Sequence, residues 1–136
     1  NARVLDKFLR DLSLSQRDAL WSANINTLAS DDGAVERTLS WSLIKRHHKN
    51  TGDVPIMLLS TVLTWFLTSS NRHIRDRSTK ALVCLLEDRS HLWTKYIRAF
   101  DDVNDPYVVE RIYCVIYGCL LRSRFKIKKK FLRLFP

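Results

Sequence analysis

From Asn71 to Leu86 the chain reads NRHIRDRSTKALVCLL, with apolar or small residues at Ile74, Ser78, Ala81, Leu82 and Leu85, offsets of 0, 4, 7, 8 and 11. That spacing falls on one face of an α-helix, and Asn71 stands ahead of it as an N-cap. Thirty-four residues later the pattern returns. Asp105 takes the place of Asn71, and Val108, Ile112, Val115, Ile116 and Cys119 take the five face positions. The leading segments repeat at the same step, Leu58, Leu59, Val62, Leu63 and Phe66 mapping onto Leu92, Trp93, Tyr96, Ile97 and Phe100. A worn earlier copy lies at an offset near 39, where Asp32, Val35, Leu39, Ser42 and Leu43 precede Asn71, Ile74, Ser78, Ala81 and Leu82, and Arg46 replaces Leu85. A period of this length predicts stacked helix pairs, each burying the face its neighbour leaves open.

The remaining pattern fills in the array. Val4, Leu5, Phe8, Leu9 and Leu12 predict a first helix closing near Ser13. Ser15 then caps a second, with Asp18 completing a weak capping box and Ala19 to Leu28 supplying apolar surface. The turn Asp31-Asp32-Gly33 opens a third from about Ala34 to His48. The fourth, Val54 to Thr68, is apolar nearly all round and belongs in the middle of the stack. The fifth is the opening stretch, the sixth runs from about His91 to Phe100, and the seventh from about Pro106 to Ser123. The expected fold is all-α, a right-handed α-solenoid of helix pairs in an armadillo-type superhelix. Residues 1–53 are its degenerate N-terminal helices, 54–87 and 88–121 its clearest repeats, and 122–136 a basic C-terminal segment.

A capping Asn or Asp, then Ile or Val, a small or apolar group four on and two further apolar steps resembles the second helix of the HEAT repeat. Arg75 matches a favoured basic position of that repeat, while Val109 occupies the equivalent place in the next copy, where that basic rung is missing. The likeness covers residues 54 to 121, and 15 to 48 loosely. Trp65 to Asn71, Arg75-Asp76-Arg77 with Lys80 to Val83, and the run from Asp105 through Glu110-Arg111 to Gly118 are similar to helical-repeat regions of large bacterial STAND-type NTPases, antiviral ones among them. That resemblance implies an array that senses a ligand or contacts neighbouring subunits while another domain handles nucleotide.

Charge is distributed unevenly. The net formal charge is +9, but Arg122, Arg124, Lys126, Lys128, Lys129, Lys130 and Arg133 sit in one acid-free segment, and without them 16 basic residues face 14 acidic ones. Phe125, Ile127, Phe131, Leu132, Leu134 and Phe135 interleave with these cations. The segment reads as the leading helix of a next repeat, as a nucleic-acid contact using cations on phosphate and rings for stacking, or as a helix lying on an anionic membrane. The longest apolar-rich run, about fourteen residues, is short of the ~20 a membrane span needs. Three cysteines, Cys84, Cys114 and Cys119, set in helical patterns fit a reduced, cytoplasmic protein; Cys119 takes a core position and Cys114 is expected near one. The chain opens on Asn1-Ala2, which reads as the scar of a cleaved tag, and stops within a rich apolar and basic pattern. Both suggest a piece of a larger protein.

The pattern argues against catalysis. Gly33, Gly52 and Gly118 are isolated, so no loop cradles phosphate. His47, His48, His73 and His91 lack zinc-ligand spacing. Asp101, Asp102 and Asp105 stand where capping carboxylates belong. A HEAT-like DNA glycosylase would need aromatic and acidic residues on a concave face, and of the four tryptophans only Trp41 reads as a surface residue. The expectation is a non-catalytic protein-interaction or ligand-sensing scaffold, without cofactor or metal, whose partners are proteins or other domains of its own parent chain. Its candidate partner surface is Arg72, Arg75, Arg77 and Lys80 on the fifth helix with Glu110 and Arg111 on the seventh. The alternative is a nucleic-acid-binding module working through the seven terminal cations.

Overall fold

The computed structural model describes residues 1–134, with side chains through residue 124. It is all-helical, with no strand among the described residues. Helix α1 (Ala2–Asp11) is followed by α2 (Leu14–Arg17), a π-helical turn (Asp18–Ser22) and α3 (Ala23–Leu28), which run on as one rod. Then come α4 (Ala34–Leu43), α5 (Lys45–His48), α6 (Asp53–Phe66), α7 (Arg72–Leu86), α8 (Ser90–Arg98) and α9 (Pro106–Leu134).

Helix α7 is the centre of the molecule, packed against α4, α6 and α9. Its capping Asn71 accepts from the His73 N–H at 2.9 Å. The five positions on its repeating face, Ile74, Ser78, Ala81, Leu82 and Leu85, are all buried, as are Val83, Cys84 and Leu86. Each fully buried leucine contributes about 1.5–3 kcal/mol of transfer free energy. Helix α9 repeats the arrangement, Asp105 accepting from the N–H groups of Tyr107 and Val108 while Val108, Ile112, Val115 and Cys119 are buried. Helix α6 buries Ile56, Ser60 and Leu63 to Phe66 but leaves Val54 exposed.

The elements depart from expectation at four places. The second helix is capped one step earlier, Ser13 accepting from Gln16 N–H while the Gln16 side chain accepts from Ser13 N–H. Glutamine at the third helical position closes that box, so Ser15 and Asp18 are not needed for it. Helix three breaks at Ile44, whose backbone is extended (φ −97°, ψ 101°). The break turns His48 back on the preceding helix, where its Nε2–H meets the Ser42 carbonyl at 3.1 Å. Cys114 is exposed. Finally, α9 continues without a turn to Leu134, so the boundary expected at 121/122 falls inside one helix.

The π-turn has a visible cause. Trp21 and Ser22 are adjacent, yet both side chains reach the end of α6, Trp21 Nε1–H donating to Trp65 O at 3.0 Å and Ser22 Oγ–H to Thr68 O at 2.8 Å. The last turn of a helix leaves carbonyls without intrahelical partners, and the widened turn lets two consecutive residues supply them.

Candidate functional site

The N-terminal rod docks through one buried cation. Arg17 is 1% exposed, and its guanidinium donates to Leu9 O (3.1 Å), Leu12 O (3.2 Å), Asn104 Oδ1 (2.6 Å) and Asp105 Oδ2 (3.3 Å). It lies 5.0 Å over the Trp65 ring. Arg10 adds a second tie, pairing with Asp6 and Asp102 and donating to Ala99 O. Asp102 and Asp105 are thus engaged in holding the loop before α9.

That docking leaves a hollow of about 320 Å³ lined by Leu14, Asp18, Thr68, Ser69, Arg75 and Tyr107, among others. A second hollow shares Asp18 and Thr68 and extends along Ser22 and Asn26 to Ser70. Arg75 is fixed at its rim. Nη1 donates to Ser69 O at 2.7 Å and Ser70 O at 2.8 Å, and the guanidinium lies 6.0 Å from the Tyr107 ring centroid. Arg111 stands over the same ring at 5.8 Å. One nitrogen of Arg75 therefore holds the turn, and a guanidinium fork has further N–H donors of the kind that bind a carboxylate or phosphate.

The other expected surface residues divide. Arg77 reaches across to α4, making a paired contact with the Glu36 carboxylate and a bond to Ser40 Oγ at 3.2 Å. Arg111 reaches across to α7, to Asp76 Oδ1 at 3.2 Å and Thr79 Oγ1 at 2.8 Å. These two arginines are 34 positions apart, Arg77 on α7 binding an acid of α4 and Arg111 on α9 an acid of α7. Arg72 is exposed beside Asp76, and Lys80 and Glu110 are exposed. Along the terminal segment, Arg122 binds Glu87 Oε2 at 3.2 Å and Arg124 is exposed. The side chains of Lys126, Lys128, Lys129, Lys130 and Arg133 lie outside the described residues.

Arg77 and Ser40 hydrogen-bond the Glu36 carboxylate and hold its pKa down at about 2, from 4.5. Burial lowers the pKa of His48 and raises that of Cys84, 3.7 Å away. The His48 Nε2–H is used on Ser42 O, so the two face each other as neutral groups rather than as a thiolate–imidazolium pair. Burial pushes the Cys119 thiol up to about 12. Trp21, Trp65 and Trp93 each donate their indole N–H to a protein oxygen, whereas Trp41 is 39% exposed beside His47 and His48. Among the described residues no group of three or more His, Cys, Asp or Glu is placed to hold a metal, and no helix is long and apolar enough to cross a membrane.

Sequence reasoning missed Arg17. The available signal was a cation four residues before Trp21 and eight before Ile25, on the face the rod buries. No protein-family model, curated protein or solved structure matches the chain.

Proposed function

We propose that the chain is a non-catalytic interaction scaffold, an armadillo-type right-handed α-solenoid of HEAT-like pairs serving a larger protein. The observation that carries this reading is the repeated rung. Arg77 to Glu36 and Arg111 to Asp76 make the same kind of contact from arginines 34 residues apart, as is expected where like units stack. The setting implied by the resemblance is a bacterial STAND-type NTPase engaged in defence. There the array would read a partner or ligand and leave nucleotide to another domain.

The hollow beside Arg75 is the recognition site in this reading. Its oriented guanidinium, the Tyr107 ring and the exposed Asp18 suit a short peptide segment with a carboxylate for Arg75 and a cationic group for Asp18. NMR titration with short peptides carrying both charges tests it. Saturable shifts are expected in the amides of residues 67–70 and 107–108, abolished by Arg75→Ala. Shifts that survive Arg75→Ala, or none with any peptide, would reject the site. A second reading, nucleic-acid binding, draws on exposed Arg124 and the half-exposed Arg122. Affinity for DNA or RNA that collapses with salt and with deletion of 122–133 would favour it.

A further inference from the structure

Helix α9 buries one side against α7 and leaves the opposite side open. Glu110, Tyr113, Tyr117, Leu120 and Arg124 follow one another at alternating steps of three and four, and all are exposed. Tyr113 is 58% exposed and Tyr117 63%. Ile127, Phe131 and Leu134 continue the same steps in the sequence. Steps of three and four are the spacing of a coiled-coil seam, here with Tyr113, Tyr117 and Leu120 as the exposed apolar members. Beside this stripe Leu121 is exposed as well, so Tyr113, Tyr117, Leu120 and Leu121 form one apolar patch.

We infer that a second copy of the chain covers this face, α9 packing antiparallel against α9 of its mate about a two-fold axis. The charge along the helix selects both the partner and the direction. Asp101 and Asp102 precede α9 and Glu110 lies on its seam near the start, while the cations from Arg122 to Arg133 occupy its end. A parallel pair would set seven cations beside seven. An antiparallel pair sets the acidic end of each helix against the basic end of the other and also opposes the two helix dipoles. Such a contact is self-complementary and closes at two copies. This pairing stands on α9 alone and is independent of the hollow beside Arg75.

Sedimentation velocity on the 136-residue chain, from about 1 to 100 µM, tests the inference. A reversible dimer is expected, weakened at least ~10-fold by Tyr117→Glu and by Leu120→Lys, with circular dichroism melts unchanged at concentrations where the wild type is monomeric, because both side chains are exposed in the single chain. Salt is expected to loosen the dimer as the end charges are screened. Mild oxidation reads the direction. Antiparallel helices hold the two exposed Cys114 thiols roughly 10 Å or more apart along the axis, so no Cys114 cross-link forms. A monomer at the highest concentration, or a dimer indifferent to both substitutions, overturns the pairing and leaves the face to a different helix. Rapid Cys114 cross-linking of the dimer overturns the antiparallel direction.

Discussion

Replacing Arg17 with alanine is expected to be among the most damaging single changes in this chain. The guanidinium is buried and divides its donors among two carbonyls, an amide oxygen and the Asp105 carboxylate. Alanine removes every one of these bonds and the guanidinium that lies over Trp65. It also leaves Asp105, itself 8% exposed, as a buried carboxylate without its cation. Breaking a buried pair from one side costs about 3–5 kcal/mol. Against a total of roughly 5–15 kcal/mol that is a large fraction, and for a domain of this size it lowers Tm by about 10–20 °C. Urea unfolding followed by tryptophan fluorescence measures it, with Trp65 reporting from beneath the guanidinium. Arg17→Lys restores the charge but not the fork, since one ammonium cannot span four separated acceptors, and falls between wild type and alanine. Asp105→Asn keeps an oxygen for the α9 cap and costs about 1–2 kcal/mol. A loss below ~1 kcal/mol in Arg17→Ala would refute the view that this cation holds the N-terminal rod to the loop before α9.

Glu36 has a folded pKa of about 2 against 4.5, so its contribution is complete above pH 4.5 and disappears as the pH falls towards 2. Glu36→Gln is therefore expected to flatten the acid limb of the stability curve between those values in urea titrations. A Cβ on Gly118 would stand 2.9 Å from Val83 Cγ2. Gly118→Ala gains up to ~1 kcal/mol in helix propensity but forces the α7–α9 contact at ~1–3 kcal/mol, a net loss that Val83→Ala is expected to recover in thermal melts. Among the thiols, only Cys114 is exposed, while Cys84 and Cys119 are buried. A disulfide reagent is expected to modify one cysteine quickly and the other two only at the rate of unfolding, as read by mass spectrometry.

The apolar positions were legible because a helix face has a fixed period. Ile74, Ser78, Ala81, Leu82 and Leu85 could be marked as one face from spacing alone, and the α7 core is built on them. What spacing cannot encode is where a long side chain bends. The resemblance pointed to Arg75 as the basic rung between layers. Arg75 instead turns back to two carbonyls of the 69–70 turn, and the inter-helix contacts belong to Arg77 and Arg111. The break at Ile44 was hidden for a related reason. Apolar residues cross it without a gap in their pattern, and the interaction that stabilises the bend, His48 on Ser42 O, is local to the folded turn. The hollow beside Arg75 depends on contacts between residues more than fifty positions apart and leaves no trace in any one segment.

Glu87 bridges two helices that do not follow one another in the chain. One carboxylate oxygen takes Lys45 Nζ at 2.8 Å and the other takes Arg122 Nη1 at 3.2 Å. The side chain stands just past the end of α7, and the cations belong to α5 and α9. The start of the basic segment and the short helix α5 therefore meet at Glu87, with Asp88 also pairing with Lys45. Removing the Glu87 carboxylate therefore weakens a tie on each flank of α7 at once.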